Sequence, residues 1–233
     1  MRRAILLFPL LSVLSLGPPL QAQSEGDFWA YLALTLTPTG GFAPLASAAG
    51  VGGPASGAFS LRYGQIGEDD DPLHHIGVTA DLPAGSGRLG LTAGAQACAG
   101  CDALIMLGAD WTTPLVERAM ADGRMGVGLM TAIGAGIPTA EEADAFLLSA
   151  SLGVPVSLVA GAADGLQVVP FLTPAIGLGV ITGSDSEAGI RPMLGGGLGL
   201  ISRAGFGVTA GFQKVFIDGG ETVIGLAITF GGR

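Results

Sequence analysis

A chain of 233 residues with 19 acidic against 10 basic side chains, a formal charge of −9, lacks the basic footprint that nucleic acid demands of a partner. Only 12% of residues are charged, mean hydropathy is +0.60, and 41 positions are glycine, far above the roughly 7% of an average protein. An ordinary solvent-facing surface is thereby excluded, and a single domain of moderate size must set its apolar side chains against something other than water.

In chain order, Arg2 and Arg3 precede an apolar run over residues 4–16 and a polar end at Leu20, Gln21 and Ala22. These three parts predict a signal peptide spanning 1–22, cleaved after Ala22 to leave Gln23 first. A membrane helix is the competing reading, but Pro9 interrupts the run, Gly17, Pro18 and Pro19 end it, and a span needs about 20 apolar residues. Export places Cys98 and Cys101, which enclose only Ala99 and Gly100, where a disulfide can persist.

Residues 23–56 form an N-terminal segment whose reading stays open between extra strands, a loop and a lumen plug. Residues 28–37 read as a further strand anchored by Phe28, Trp29 and Tyr31, and the Gly/Ala/Pro-rich stretch 38–57 fits any of the three.

From residue 57 to 233 the dominant signal is period two. Over 125–137 the odd positions Met125, Val127, Leu129, Ile133 and Ile137 are bulky, while the even ones include Gly126, Gly128, Gly134 and Gly136. Two charge-free stretches, 145–163 and 165–184, are long enough for helices, but Pro155, Pro170 and Pro174 lie inside them and argue for strands. Turn signals delimit about ten strands, near 57–66, 75–83, 88–97, 103–113, 124–138, 145–160, 166–181, 189–202, 205–217 and 222–230, with 8 to 12 compatible with the pattern. A soluble sandwich would oppose its apolar face with a charged one. Here the second face is Gly, Ala, Ser and Thr, which predicts an all-β, closed antiparallel transmembrane β-barrel with its bulky face turned to lipid.

Charge sorts the connections. Alternate loops hold Glu68, Asp69, Asp70 and Asp71; Asp102; Glu141, Glu142 and Asp144; Asp185 and Glu187; Asp218 and Glu221, which is twelve acids without a Lys or Arg. The remaining turns are mixed in sign. The acidic loops are therefore expected on the outside and both termini on the periplasmic side.

A signal peptide, about ten amphipathic strands and a final strand 222–230 ending in Phe230 resemble the small outer-membrane β-barrel proteins. That resemblance implies residence in the outer membrane, contact with its lipid, and a role for Phe230 in recognition by the barrel assembly machinery. Gly231, Gly232 and Arg233 follow that aromatic, a departure from the pattern.

Four charges fall on inward positions of neighbouring strands: Arg62, Asp81, Arg88 and Asp110. Inward charges in a medium of low dielectric should pair, so a structural lumen network is expected, with control of permeation as the alternative. Glu68, Asp69, Asp70, Asp71, His74 and His75 are the one concentration of carboxylate and imidazole, a solvated loop by default and a cation-binding loop by chemistry. No GxSxG, P-loop or HExxH occurs, so no catalytic set, resident metal or cofactor is expected. The functional expectation is a structural barrel or narrow passive pore with acidic external loops. The alternative is a cation- or partner-binding surface module, and an outer-membrane hydrolase working through His74 and His75 ranks third.

Overall fold

The computed structural model describes residues 25–37, 57–67, 72–98, 101–121, 123–139, 145–161, 165–183, 186–202 and 204–231. The expected signal peptide, residues 38–56, the loop acids Glu68, Asp69, Asp70, Asp71, Glu141, Glu142, Asp144 and Asp185, and the side chains of Phe28 and Trp29 lie outside this description.

One helix, α1 (Glu25–Leu36), precedes eleven strand segments. These are β1 (Ala58–Ile66), β2 (Leu73–Ala84), β3 (Gly87–Ala97), β4 (Leu104–Met120), β5 (Gly123–Pro138), β6 (Phe146–Gly153), β7 (Val156–Ala160), β8 (Gln167–Thr182), β9 (Glu187–Ile201), β10 (Phe206–Val215) and β11 (Thr222–Gly231). Every pairing is antiparallel, and β1 pairs with β11 from Ala58↔Gly231 to Ile66↔Val223, so the sheet closes on itself. β6 and β7 are two halves of one stave, both lying between β5 and β8, and the barrel has ten strands.

The split between β6 and β7 has a local cause. Pro155 carries no N–H for the ladder, and Pro174 lies opposite on β8. The chain steps across the gap by irregular bonds, Val154 N–H to Pro174 O at 2.9 Å and Gly128 N–H to Pro155 O at 2.8 Å. Both charge-free stretches are thus strands, and no helix among the described residues is long and apolar enough to cross a membrane. At the β2–β3 turn Gly85 adopts φ +62°, the left-handed value that a two-residue hairpin turn requires.

Two expectations are corrected. The connection expected at 114–123 is largely strand: β4 runs on to Met120, and the register shift between Pro114 and Val116 absorbs the proline as a bulge. Residues 28–37 form no strand but most of α1. The aromatic residues suggested a strand, yet Ala30, Leu32, Ala33, Leu34 and Leu36 are strong helix formers, and burial runs round the segment through Ala30, Tyr31, Ala33, Leu34, Thr35 and Thr37.

The strands alternate as the sequence indicates. Outward positions such as Leu61, Ile76, Leu107, Ile133, Leu198 and Ile224 are exposed, whereas inward ones such as Ser60, Thr79, Thr92, Ser151 and Thr209 are buried. The core is the lumen. Ala33 packs with Leu104, Met106, Leu147 and Phe171, while Tyr31 and Leu34 pack with Met193, Val215 and Ile217. α1 therefore lies across the lumen, near the end of the barrel that carries the acidic connections.

Its seat is made by two inward glycines of β8. A Cβ on Gly179 would stand 2.8 Å from Ala30 Cα, and one on Gly177 would run into Leu34. Complete burial of Leu34 contributes roughly 1.5–3 kcal/mol relative to an exposed leucine. Polar ties complete the seat: Thr37 hydrogen-bonds Ser149, and the Glu221 N–H donates to Tyr31 Oη at 2.9 Å.

Candidate functional site

The lumen charge network expected from the sequence is assembled on three consecutive strands. Arg88 on β3 reaches both ways with its fork, Nη1 to Asp81 Oδ1 of β2 at 2.6 Å and Nη2 to Asp110 Oδ2 of β4 at 2.8 Å. The register explains the fit. Gly90 pairs with Asp81 on one side and with Asp110 on the other. A Cβ there would come within 2.9 Å of the Asp110 Cγ, so the glycine leaves the space in which the carboxylates approach the arginine.

Arg62 completes the group from β1. It is 4% exposed, and Asp81 and Asp110, at 4% and 5%, both act on it electrostatically. Two cations and two anions give a neutral quartet, the condition under which buried charges are tolerated. Charge-assisted, forked bonds of this kind also hold the strands in register.

Hydroxyl pairs extend the polar layer around the wall: Thr79 to Thr92 at 2.8 Å and Ser60 to Thr229 at 2.9 Å. Four further inward groups, on Thr112, Ser151, Thr173 and Gln213, are buried without a hydrogen-bond partner among the described residues. α1 thus fills the acidic half of the lumen, and the Arg88 quartet lies toward the opposite end.

The two histidines are not brought together. His75 points inward, fully buried, and bonds Gln96 of β3; His74 points outward and bonds Tyr63 Oη through Nδ1 at 2.8 Å, with the rings stacked at 5.9 Å. The wall of the barrel separates them, so they cannot act as a pair, and Glu68, Asp69, Asp70 and Asp71 lie outside the described residues. Among the described residues no group of three or more His, Cys, Asp or Glu side chains is placed to hold a metal ion. Cys98 and Cys101 are joined in a disulfide in the β3–β4 connection, as their spacing suggested.

Phe230 is outward and half exposed. It pairs in register with Phe59 of β1 and with Phe206 of β10, and meets the Phe206 ring edge-on at 5.7 Å. This aromatic row, at the end opposite the acidic loops, was not apparent from the sequence, because its members come from the first strand and the last two. Gln96 was missed as a partner for His75 for the same reason, although its inward parity was readable.

No protein-family model matches this chain, and no curated protein matches it either.

Proposed function

We propose that the chain is an outer-membrane β-barrel protein with a structural role, exported by its signal peptide, bedded in lipid and assembled by the barrel machinery. The observation that carries this is the outer face. Among the described residues large apolar side chains stand exposed on every stave, whereas the largest apolar patch on a soluble monomer is about 300–600 Å². Closure supports the same reading, since a barrel leaves no unpaired strand edge in hydrocarbon.

A structural role is favoured over an open pore because α1 occupies the lumen. A narrow passive pore is the second reading, supported by the unpartnered inward groups of Thr112, Ser151, Thr173 and Gln213, which water would satisfy. Nothing in the geometry favours a hydrolase, and the cation-binding reading rests on loop acids outside the described residues.

The test is fractionation of expressing cells combined with heat-modifiable migration on gels. The protein is expected in the outer-membrane fraction as a faster-migrating folded band that slows on boiling. Recovery as a soluble periplasmic protein would refute the reading. In planar bilayers the structural version gives no steady current, and stepwise conductance would replace it with the pore.

A further inference from the structure

The β4–β5 hairpin outruns the strand beside it. β3 leaves the ladder at Arg88↔Thr112, and Ser86 of the β2–β3 turn is hydrogen-bonded to Thr113 at 3.2 Å. β4 continues, paired with β5, as far as Met120↔Gly123, and β7 supports β5 over the same stretch to Gly123↔Ala160. Beyond Thr113, about 20 Å of β4 therefore has a strand neighbour on one side alone among the described residues. Leu115, Val116, Glu117, Arg118, Ala119 and Met120 are all exposed, the pattern of a strand that has left the wall with both faces free.

An open edge carries a row of N–H and C=O groups that another strand can pair. Lysine, proline or a bulge usually guards such an edge; here Pro114 and its bulge guard only the root. Further out, Glu117 and Arg118 are adjacent and so face opposite ways, and the ion pairs among the described residues are the two of Arg88. An incoming antiparallel strand meets Arg118 before Glu117. Its complementary order is thus an acidic residue followed by a basic one, with apolar flanks for Leu115, Val116 and Met120.

A second barrel in the same membrane cannot supply that strand. Barrel strands tilt by about 35–45°, so the hairpins of two copies related by rotation about the membrane normal cross at roughly 80°. Neighbours in a sheet differ by only about 20–25°. The hairpin lies at the end where β1 begins and β11 finishes, which the membrane reading puts in the periplasm. We propose that the free edge of β4 docks an extended segment of a soluble periplasmic protein by antiparallel strand addition. Main-chain bonds supply the affinity, and the paired charges at Glu117 and Arg118 select the segment. The side of the membrane rests on the reading above; the open edge does not.

The test uses the full-length protein in detergent, first examined for its heat-modifiable band. Absence of that band refutes the membrane reading, and the peptide assay, run on the folded form recovered, still decides the edge. Fluorescence anisotropy follows two short labelled peptides with the same Val/Thr flanks and a central Glu-Lys or Lys-Glu. The Glu-Lys peptide should bind about tenfold more tightly, the size of two opposite-charge cross-strand pairs set against two like-charge ones. Glu117→Arg combined with Arg118→Glu, both on exposed positions, should reverse the order of the two peptides. N-methylation of alternate peptide nitrogens should abolish binding in one phase and spare it in the other. Equal affinity or no binding for both peptides, a preference for Lys-Glu, or binding that survives both phases of methylation overturns the proposal. Displacement of the peptide by self-association of the barrel would overturn it too, in favour of a second copy.

Discussion

Replacing Arg88 with Met keeps most of its bulk but removes the cation that joins Asp81 to Asp110. The quartet then holds Arg62 against two carboxylates that are 4% and 5% exposed, a buried net charge of −1. Removing one partner of a buried ion pair costs about 3–5 kcal/mol, because the remaining charge stays desolvated. A second change, Asp81→Asn, restores neutrality, leaving Arg62 with Asp110. The double variant should therefore be more stable than Arg88→Met alone, even though it lacks one more charged group. Urea unfolding of the barrel in lipid vesicles, followed by the fluorescence of the outward Trp111, measures both. A double variant destabilised by the sum of the two single effects would show that charge balance does not govern this layer.

Three other perturbations address the remaining elements. Gly179→Leu places a side chain where the backbone of Ala30 sits, so α1 should leave its seat: limited proteolysis should cut the helix while the barrel still shows its heat-modifiable band, and unchanged protection would refute the seat. Ile133→Arg puts a charge on the outward face in mid-strand and should cost about 2–4 kcal/mol in vesicle unfolding, whereas a neutral result would argue against contact with lipid. Phe230→Ala removes an edge-on aromatic contact, about 1 kcal/mol, and is expected to lower the yield of folded protein in cells well beyond what that loss explains. A yield that merely tracks stability would confine Phe230 to packing.

The barrel was legible because its signal is local and repeated. Period-two alternation states which side chains share a face, and a closed sheet then fixes which strands are neighbours. Arg62, Asp81, Arg88 and Asp110 could be named in advance for that reason, since parity put all four inside and burial required them to pair. Adjacent strand positions face opposite ways, so the same parity accounts for His74 and His75 lying on opposite sides of the wall. The space at Gly90 was less visible, because its use depends on the two strands that flank it.

What the sequence concealed was α1. Its residues carry no strong amphipathic stripe, as almost every side of the described part meets protein, and a helix buried all round loses the polar face by which it is usually recognised. A trace of it lies instead in the strands. Leu104 and Met106 of β4, Leu147 of β6, Met193 of β9 and Val215 of β10 are all inward, and all lie toward the acidic end. Against a water-filled lumen these side chains would lose the stabilisation of burial, about 25 cal/mol for each Å² left wet. Inward apolar residues facing one another at the acidic end therefore imply an apolar occupant there, and the small inward positions Gly177 and Gly179 mark where its backbone comes closest. By the same reasoning the polar end, with its neutral quartet and unpartnered hydroxyls, is where any water in this barrel belongs.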